Sequence, residues 1–434
     1  MEIKYFIDRE ENRIFAEYVF EFFNHHPYMS EGCHFVGVDQ IGEADLIYGN
    51  HHGSVNKAFY IQPQHIIFSD KVFPNEVLFI NKYQWGKQDV FSVENAQKSG
   101  AFLEGNKFGF DWIEMVFFHL SRYEEFHFPI DERNQWDLMP EQKLLLVLNG
   151  REQRPVVDEL VMVVLKAMDI PVKTTQFSFC ISHDVDHMVN PDSRTRSVLS
   201  ALRHGHMNKA IFNYNSYFED FSFMISNHKI EKVLYLHPGG NHPYDGMNNM
   251  DKKGQTLFIK LINEAKALQY TIGLHPSFLA ATNAELFLQE KGKIEAVTGI
   301  PMTRSRQHFL HFDAQKTIDI LELADINEDS SLGYNEYIGY RCGTAASFFL
   351  FDLQHKKTSK VRERPMIWMD SAQWAAANRN SDLFKKSAAD FISNLPPMPG
   401  MVFNFHSHYW STYRKYGVDL SLIMDLLLQK TEGR

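Results

Sequence analysis

Four ionisable side chains fall within five consecutive positions, His183-Asp184-Val185-Asp186-His187. They end the run Phe177-Ser178-Phe179-Cys180-Ile181-Ser182, whose apolar alternation has strand character. A strand that stops in charged and imidazole side chains opens on solvent or on a ligand. Carboxylate plus imidazole is the ligand set of zinc and similar divalent metals. A second carboxylate one residue away could handle protons. An isolated Asp-x-Asp is more often a solvated turn than a site. Here the same pattern recurs along the chain.

Lys232-Val233-Leu234-Tyr235-Leu236 ends at His237, and Tyr270-Thr271-Ile272-Gly273-Leu274 ends at His275-Pro276-Ser277. The short run Arg306-Gln307-His308-Phe309-Leu310-His311 carries two histidines. Tyr337-Ile338-Gly339-Tyr340 ends at Arg341, Met366-Ile367-Trp368-Met369 at Asp370, and Met401-Val402-Phe403-Asn404-Phe405 at His406. Segments of helical period lie between several of these runs. Leu257, Leu261 and Ala265 share a face in 255–269, Ile318, Leu321 and Ala324 in 314–326, and Phe384, Ala388 and Ile392 in 381–394. Strands alternating with helices predict parallel strands joined by crossovers. The ionisable ends recur at intervals of about 30 to 50 residues, the size of a βα unit. A barrel of parallel strands gathers its C-terminal strand ends at one mouth, which is where such residues would converge.

At these residues the chain resembles the polysaccharide deacetylases, the NodB-homology or carbohydrate esterase 4 family. It closely resembles a bacterial branch with an Asp-Val-Asp-His first motif and an appended N-terminal domain. The resemblance covers roughly 175–434. It implies a distorted (β/α) barrel of about seven strands over 175–434, preceded by a smaller α/β accessory domain over 1–165. It implies removal of N- or O-acetyl groups from a carbohydrate with a divalent metal, zinc first, with cobalt, nickel or iron as alternatives. By the family's motifs, Asp184 would be the base and Asp186 a metal ligand. His275 would be a second ligand, Arg341 would orient the base, and Asp370 would tune the catalytic His406.

The family usually has another metal histidine four residues after the first, and here that position is Leu279. His308 is the replacement the resemblance favours, since Arg306-Gln307-His308-Phe309-Leu310 is typical of the branch. His237, His242, His183 and His187 are its rivals, among 21 histidines in the chain. The chemistry then follows from the bond to be broken. A metal polarises the acyl carbonyl and lowers the pKa of bound water from about 15.7 towards about 7. Asp184 would take the water's proton, and the metal with nearby donors would hold the oxyanion. His406 would protonate the departing amine. Arg341 would keep the pKa of Asp184 low, and Asp370 would set the tautomer of His406.

Two other functions fit part of the pattern. A nucleotide-sugar glycosyltransferase would use Asp-Val-Asp to hold a metal against a diphosphate. It leaves His275, Arg341 and His406 idle, and no phosphate-cradling glycine loop is evident. A catalytically degenerate carbohydrate-binding relative would account for Leu279.

At 434 residues and 50.6 kDa the chain is long for one ordinary domain, and 44% hydrophobic content with 36 Phe supplies ample core. A formal charge of −10 offers no basic field to nucleic acid or an anionic membrane. The first residues, Met1-Glu2-Ile3-Lys4-Tyr5-Phe6-Ile7-Asp8, lack the basic start and apolar core of a signal peptide, and no run approaches a membrane span. Three cysteines, Cys33, Cys180 and Cys342, form no paired spacing. The expectation is a cytoplasmic protein with no membrane span. Cys180 and Cys342 lie near the candidate site and read as packed apolar side chains before they read as nucleophiles.

The N-terminal stretch reads as its own α/β unit. Ile14, Tyr18 and Phe22 mark one face of an early helix, and 44–48, 59–61 and 66–68 read as short strands. Asp111 with Glu114 suggests a capping box opening a helix over 112–126, and 156–168 reads as a second, apolar helix. Arg122, Glu124 and Glu125 read as a solvated helix face before a ligand contact.

Overall fold

The computed structural model describes residues 1–50, 57–65, 78–186, 230–245, 252–406 and 409–433. The chain forms two compact units. The first holds Met1–Gln176, Asp313–Ile318 and Gly339–Pro365; the second holds Phe177–Phe312, Asp319–Ile338 and Met366–Arg434. The chain therefore returns twice to the first unit after leaving it, where the sequence reading placed one boundary between 165 and 175. No helix among the described residues is long and apolar enough to cross a membrane.

In the first unit, Glu2–Ile7 buries Ile3, Tyr5 and Ile7 on one face, the period-2 pattern of a half-covered strand. It pairs in parallel with His34–Gly37 on one side and Leu46–Tyr48 on the other. Phe59–Ile61 and Lys107–Phe108 extend the sheet in parallel, and Leu103–Glu104 closes it antiparallel. The helix Glu10–His25 covers it, with Phe20 stacked on Tyr5 at 3.9 Å between ring centroids. Tyr18 and Phe22 are buried as expected, but Ile14 is 39% exposed, because Val19, Phe20 and Phe23 form the packed face. A second sheet joins Gln88–Glu94, Phe79–Trp85 and Ser99–Ala101. The expected strand at 66–68 lies outside the described residues.

Asp111 caps the next helix by accepting from the Glu114 backbone N–H at 2.9 Å. That helix stops at Leu120 rather than at 126, because Arg122 takes a left-handed backbone conformation (φ 54°). Its buried guanidinium donates to the Arg341 carbonyl at 2.6 Å and to Glu125. Arg122, Glu124 and Glu125 are all buried, which corrects the expectation of a solvated face. The helix Val156–Ala167 forms as read.

Among the described residues the second unit contributes seven strands to one sheet, each parallel to its neighbours within the unit. Their order is Glu328–Asp329, Arg304–Ser305, Thr271–Leu274, Glu231–Leu236, Phe179–Val185, Met401–His406 and Met366–Met369. Phe179–Val185 is buried at every position, as a central strand covered on both faces must be. The crossovers include the helices Lys252–Ala267 and Ala284–Thr298. The latter is capped by Asn283 and ended by Gly299 in the left-handed region. Among the described residues no pairing joins Glu328–Asp329 to Met366–Met369, and the unit is a mixed α/β layer built on this sheet.

Two of the apolar runs are not strands. Pairing ends at Ser305, and His308–Leu310 forms a 3-10 turn with Phe309 at φ 57°. The run 337–340 is irregular. Gly339, at φ 131°, lies in the first unit, where the Glu152 carbonyl oxygen would come within 2.0 Å of any Cβ there.

Candidate active site

Parallel register lines up the strand ends. Asp184 is paired with Tyr235 on one side and His406 on the other. Leu236 pairs with Leu274, and Leu274 with Ser305, so His237, His275 and Arg306 each stand one step past the pairing. Asp184 and Asp186 share a face, two residues apart. His183 points elsewhere and bonds Tyr270 Oη at 3.1 Å, with burial pushing its pKa down to about 3.

Three donor groups converge at one point. His275 Nε2 lies 3.2 Å from Asp186 Oδ1, His308 Nδ1 lies 3.5 Å from the same oxygen, and the two nitrogens are 3.0 Å apart. Ligands bound at about 2.0–2.1 Å with tetrahedral angles have their donor atoms about 3.4 Å apart, so the spacing suits one shared ion. The tautomers agree. His275 Nδ1 donates to the Arg306 carbonyl at 2.6 Å, and His308 Nε2 donates to the Tyr244 carbonyl at 2.7 Å. A carbonyl only accepts, so those nitrogens carry the protons. In neutral rings the nitrogens left facing each other are both lone pairs, beside a carboxylate oxygen. Such a cluster calls for a positive charge between its members, and one carboxylate with two imidazoles is a divalent-metal set.

Asp184 is held differently. Arg306 Nη1 donates to its Oδ1 at 2.9 Å and Asn404 Nδ2 to its Oδ2 at 2.7 Å. Arg306 is fully buried and also donates to Ser182 Oγ, Asn404 Oδ1, and the carbonyl and hydroxyl of Ser330. Its guanidinium lies 4.4 Å from the centre of the Tyr235 ring. Burial alone would raise the pKa of Asp184. Arg306, then His275 and His406, outweigh it and hold the carboxyl below its ordinary value.

His406 faces both aspartates, its Nε2 3.9 Å from Asp184 Oδ2 and 3.9 Å from Asp186 Oδ2. Asp370 grips it from behind, accepting from Nδ1 at 2.7 Å and from the backbone N–H at 2.9 Å. Burial opposes charge on His406, but Asp370 and then the two site aspartates raise its pKa to about 9. The imidazolium is thus favoured, with Nε2–H aimed between Asp184 and Asp186.

Asp184, Asp186, His275, His308, Asp370 and His406 therefore come together. Arg341 belongs to the first unit, where its Nε and Nη2 donate to Glu125 at 2.9 and 2.8 Å. The guanidinium on Asp184 is that of Arg306, where the sequence reading expected Arg341. Leu279 is 47% exposed, on a 3-10 turn over Phe278–Thr282, so it does not occupy the ligand position that an α-helical turn would give. His187 lies outside the described residues. Cys180 and Cys342 are both buried, and burial pushes the Cys342 thiol up to about 12, which suits packing over nucleophilic work. Asn404 and Ser182 were missed. Each is a polar residue that directly follows an apolar run inside a fully buried strand, and that was the available signal.

In class, this is a mixed α/β chain whose parallel sheet ends in a carboxylate–imidazole cluster. A family of unknown function (DUF7033) matches residues 6–170. No curated protein matches the chain in sequence. Among solved structures, the chain is similar to one from Mycobacterium smegmatis assigned as a polysaccharide deacetylase. Identity there is 10% and the TM-score 0.35, over 59% of this chain and 92% of that one. It is also similar to a structure described as T48 deacetylase with substrate, at 10% identity and a TM-score of 0.26, over 59% of this chain and 83% of that one.

Proposed function

We propose that the chain is a metal-dependent hydrolase that removes acetyl or related acyl groups from a carbohydrate. The observation that carries this reading is the meeting of three groups within one cluster: Asp186 with His275 and His308, Asp184 with Arg306, and His406 with Asp370. Asp186, His275 and His308 would hold a divalent ion, with zinc first by ligand type. When bound, that ion supplies Lewis acidity to the acyl carbonyl and to water.

The chain's own groups supply the proton traffic. Asp184 is a carboxylate kept ionised by Arg306, so it can accept a proton from the attacking water. His406 carries a proton on Nε2 on the same side, and passes it to the departing amine or alcohol. Asp370 fixes the ring so that Nε2, not Nδ1, is the atom that faces the reaction. Arg306 and Asn404 engage one oxygen each of Asp184 and keep it from turning away. The carbohydrate part of the reading draws on the motif resemblance over 175–434. His308 answers the absence of histidine at 279, and so favours an active enzyme over a degenerate relative.

The test is metal analysis of the purified protein together with acetate release from a panel of N- and O-acetylated sugars. Stoichiometric metal and chelator-sensitive acetate release are expected. Protein that takes up no divalent metal, or that releases acetate equally well after chelation, would overturn the reading.

A further inference from the structure

His237 was one rival for the third ligand position. The structure gives it contacts of another kind. Its Nδ1 lies 2.9 Å from the carbonyl oxygen of His275, so Nδ1 carries a proton and donates it there. Its ring lies against that of His308, with centroids 4.6 Å apart and planes 23° from parallel. The side chain is fully buried. Its place follows from register. The pair Leu236–Leu274 puts His237 beside His275 at the first position past the ladder, and His275 N–H already donates to Leu236 O at 2.9 Å. The backbone of His275 is thereby tied on both its N–H and its C=O to the strand Glu231–Leu236 and its end.

The His275 side chain is tied separately, through Nδ1, to the Arg306 carbonyl. The His308 ring has one edge on the Tyr244 carbonyl and one face on His237. His308 sits on a 3-10 turn, and its ring plane is set by the edge bonded to the Tyr244 carbonyl and the face packed on His237. We propose that His237 is a positioning residue for the metal site. It holds His275 through its backbone carbonyl and His308 through its ring face, so that the two ligating nitrogens meet Asp186. This rests on the metal site proposed above. Groups that orient metal-bound histidines typically govern affinity by about 10–100-fold.

The two contacts can be removed one at a time. His237→Phe keeps a flat ring against His308 and removes the donor to His275. His237→Asn keeps a donor near Nδ1 and removes the ring. Cobalt(II) binding to the metal-free full-length protein, titrated in competition with a chelator, reads affinity without reference to turnover. The cobalt absorption spectrum at saturation reads the ligand set. Each variant is expected to bind cobalt about 10–100-fold more weakly than the wild type, with the wild-type spectrum recovered at saturation. Thermal unfolding of the metal-free forms checks that they are folded, and His237→Asn serves if His237→Phe is not. Unchanged affinity in a folded variant would overturn the proposal while leaving the metal site standing. An altered spectrum at saturation would overturn it by making His237 a ligand. A wild type that binds no cobalt would overturn the metal site and this inference with it.

Discussion

Arg306 Nη1 stands 2.9 Å from Asp184 Oδ1, while Arg341, 35 positions further on, places its guanidinium on Glu125. Both arginines are buried and both meet carboxylates, yet they serve different units of the chain. Removing each should therefore have a different signature.

For Arg306→Ala the expected effect is on titration. Burial pushes the pKa of Asp184 up and Arg306 is the strongest opposing influence. Without it the pKa rises, so the acidic limb of kcat/KM moves to higher pH. Arg341→Ala should leave that limb in place and instead destabilise the fold, by about 3–5 kcal/mol for breaking a buried ion pair. The pH profile of acetate release and denaturant unfolding separate the two. Identical acidic limbs in Arg306→Ala and the wild type would sink the assignment.

Asp184 and Asp186 should divide in role. Asp186→Ala, His275→Ala and His308→Ala each remove a donor of the proposed site and should lose metal on dialysis. Asp184→Asn cannot accept the water's proton, so it should keep the metal while kcat falls by about 10²–10⁴-fold. Metal content after dialysis, set beside turnover, decides it; an Asp184→Asn protein stripped of metal would reverse the two roles.

A second titration belongs to His406. Asp370 is the largest influence raising its pKa against burial, so activity that needs its proton should decline as pH rises into the alkaline range. Asp370→Asn removes the nearest negative charge and should bring the basic limb to lower pH. In metal-free protein the same shift is a stability statement. His406 charges more readily folded than unfolded, where its pKa is about 6.5. Its contribution is therefore complete below about 6.5 and is lost as pH rises through about 9. Thermal unfolding of wild type and Asp370→Asn across that window should diverge below it and converge above it.

Gly273→Ala should reach the site indirectly. A Cβ at 273 would lie 2.7 Å from the Tyr235 ring, the ring on which Arg306 rests. Overpacking of this kind costs about 1–3 kcal/mol, and a displaced Tyr235 loosens Arg306 on Asp184. Lower stability together with reduced kcat is expected. A fully active Gly273→Ala protein would mean that Tyr235 does not help to hold Arg306.

Local patterns carried much of this arrangement. Asp184, His275, Asp370 and His406 each follow an apolar run, and each lies within one residue of the end of a strand. Helices at 252–267 and 381–393 followed from apolar period, and the one at 156–167 from its apolar run. Partners distant in sequence carried the rest. Arg306 and Arg341 look alike in sequence, and only folding shows that one meets a carboxylate 122 residues before it and the other a carboxylate 216 residues before it. Glu124 and Glu125 read as solvated because nothing local announces the buried Arg341 beside them. The break at Arg122 has no glycine, proline or asparagine to signal it. Arg122 takes a left-handed backbone where its side chain reaches Glu125 and the Arg341 carbonyl.

The two returns of the chain to its first unit bear on how it is made. Glu125 and Arg122 lie early, and the Arg341 guanidinium and carbonyl that meet them leave the ribosome more than 200 residues later. The strands Phe348–Asp352 and Lys357–Glu363 of that unit come later still. Its N-terminal stretch must therefore wait, incomplete, while most of the parallel sheet is being synthesised. A fragment cut at residue 176 would keep the buried carboxylate of Glu125 without Arg341. In this chain the part that begins first is among the last to be finished, and no single cleavage yields both units whole.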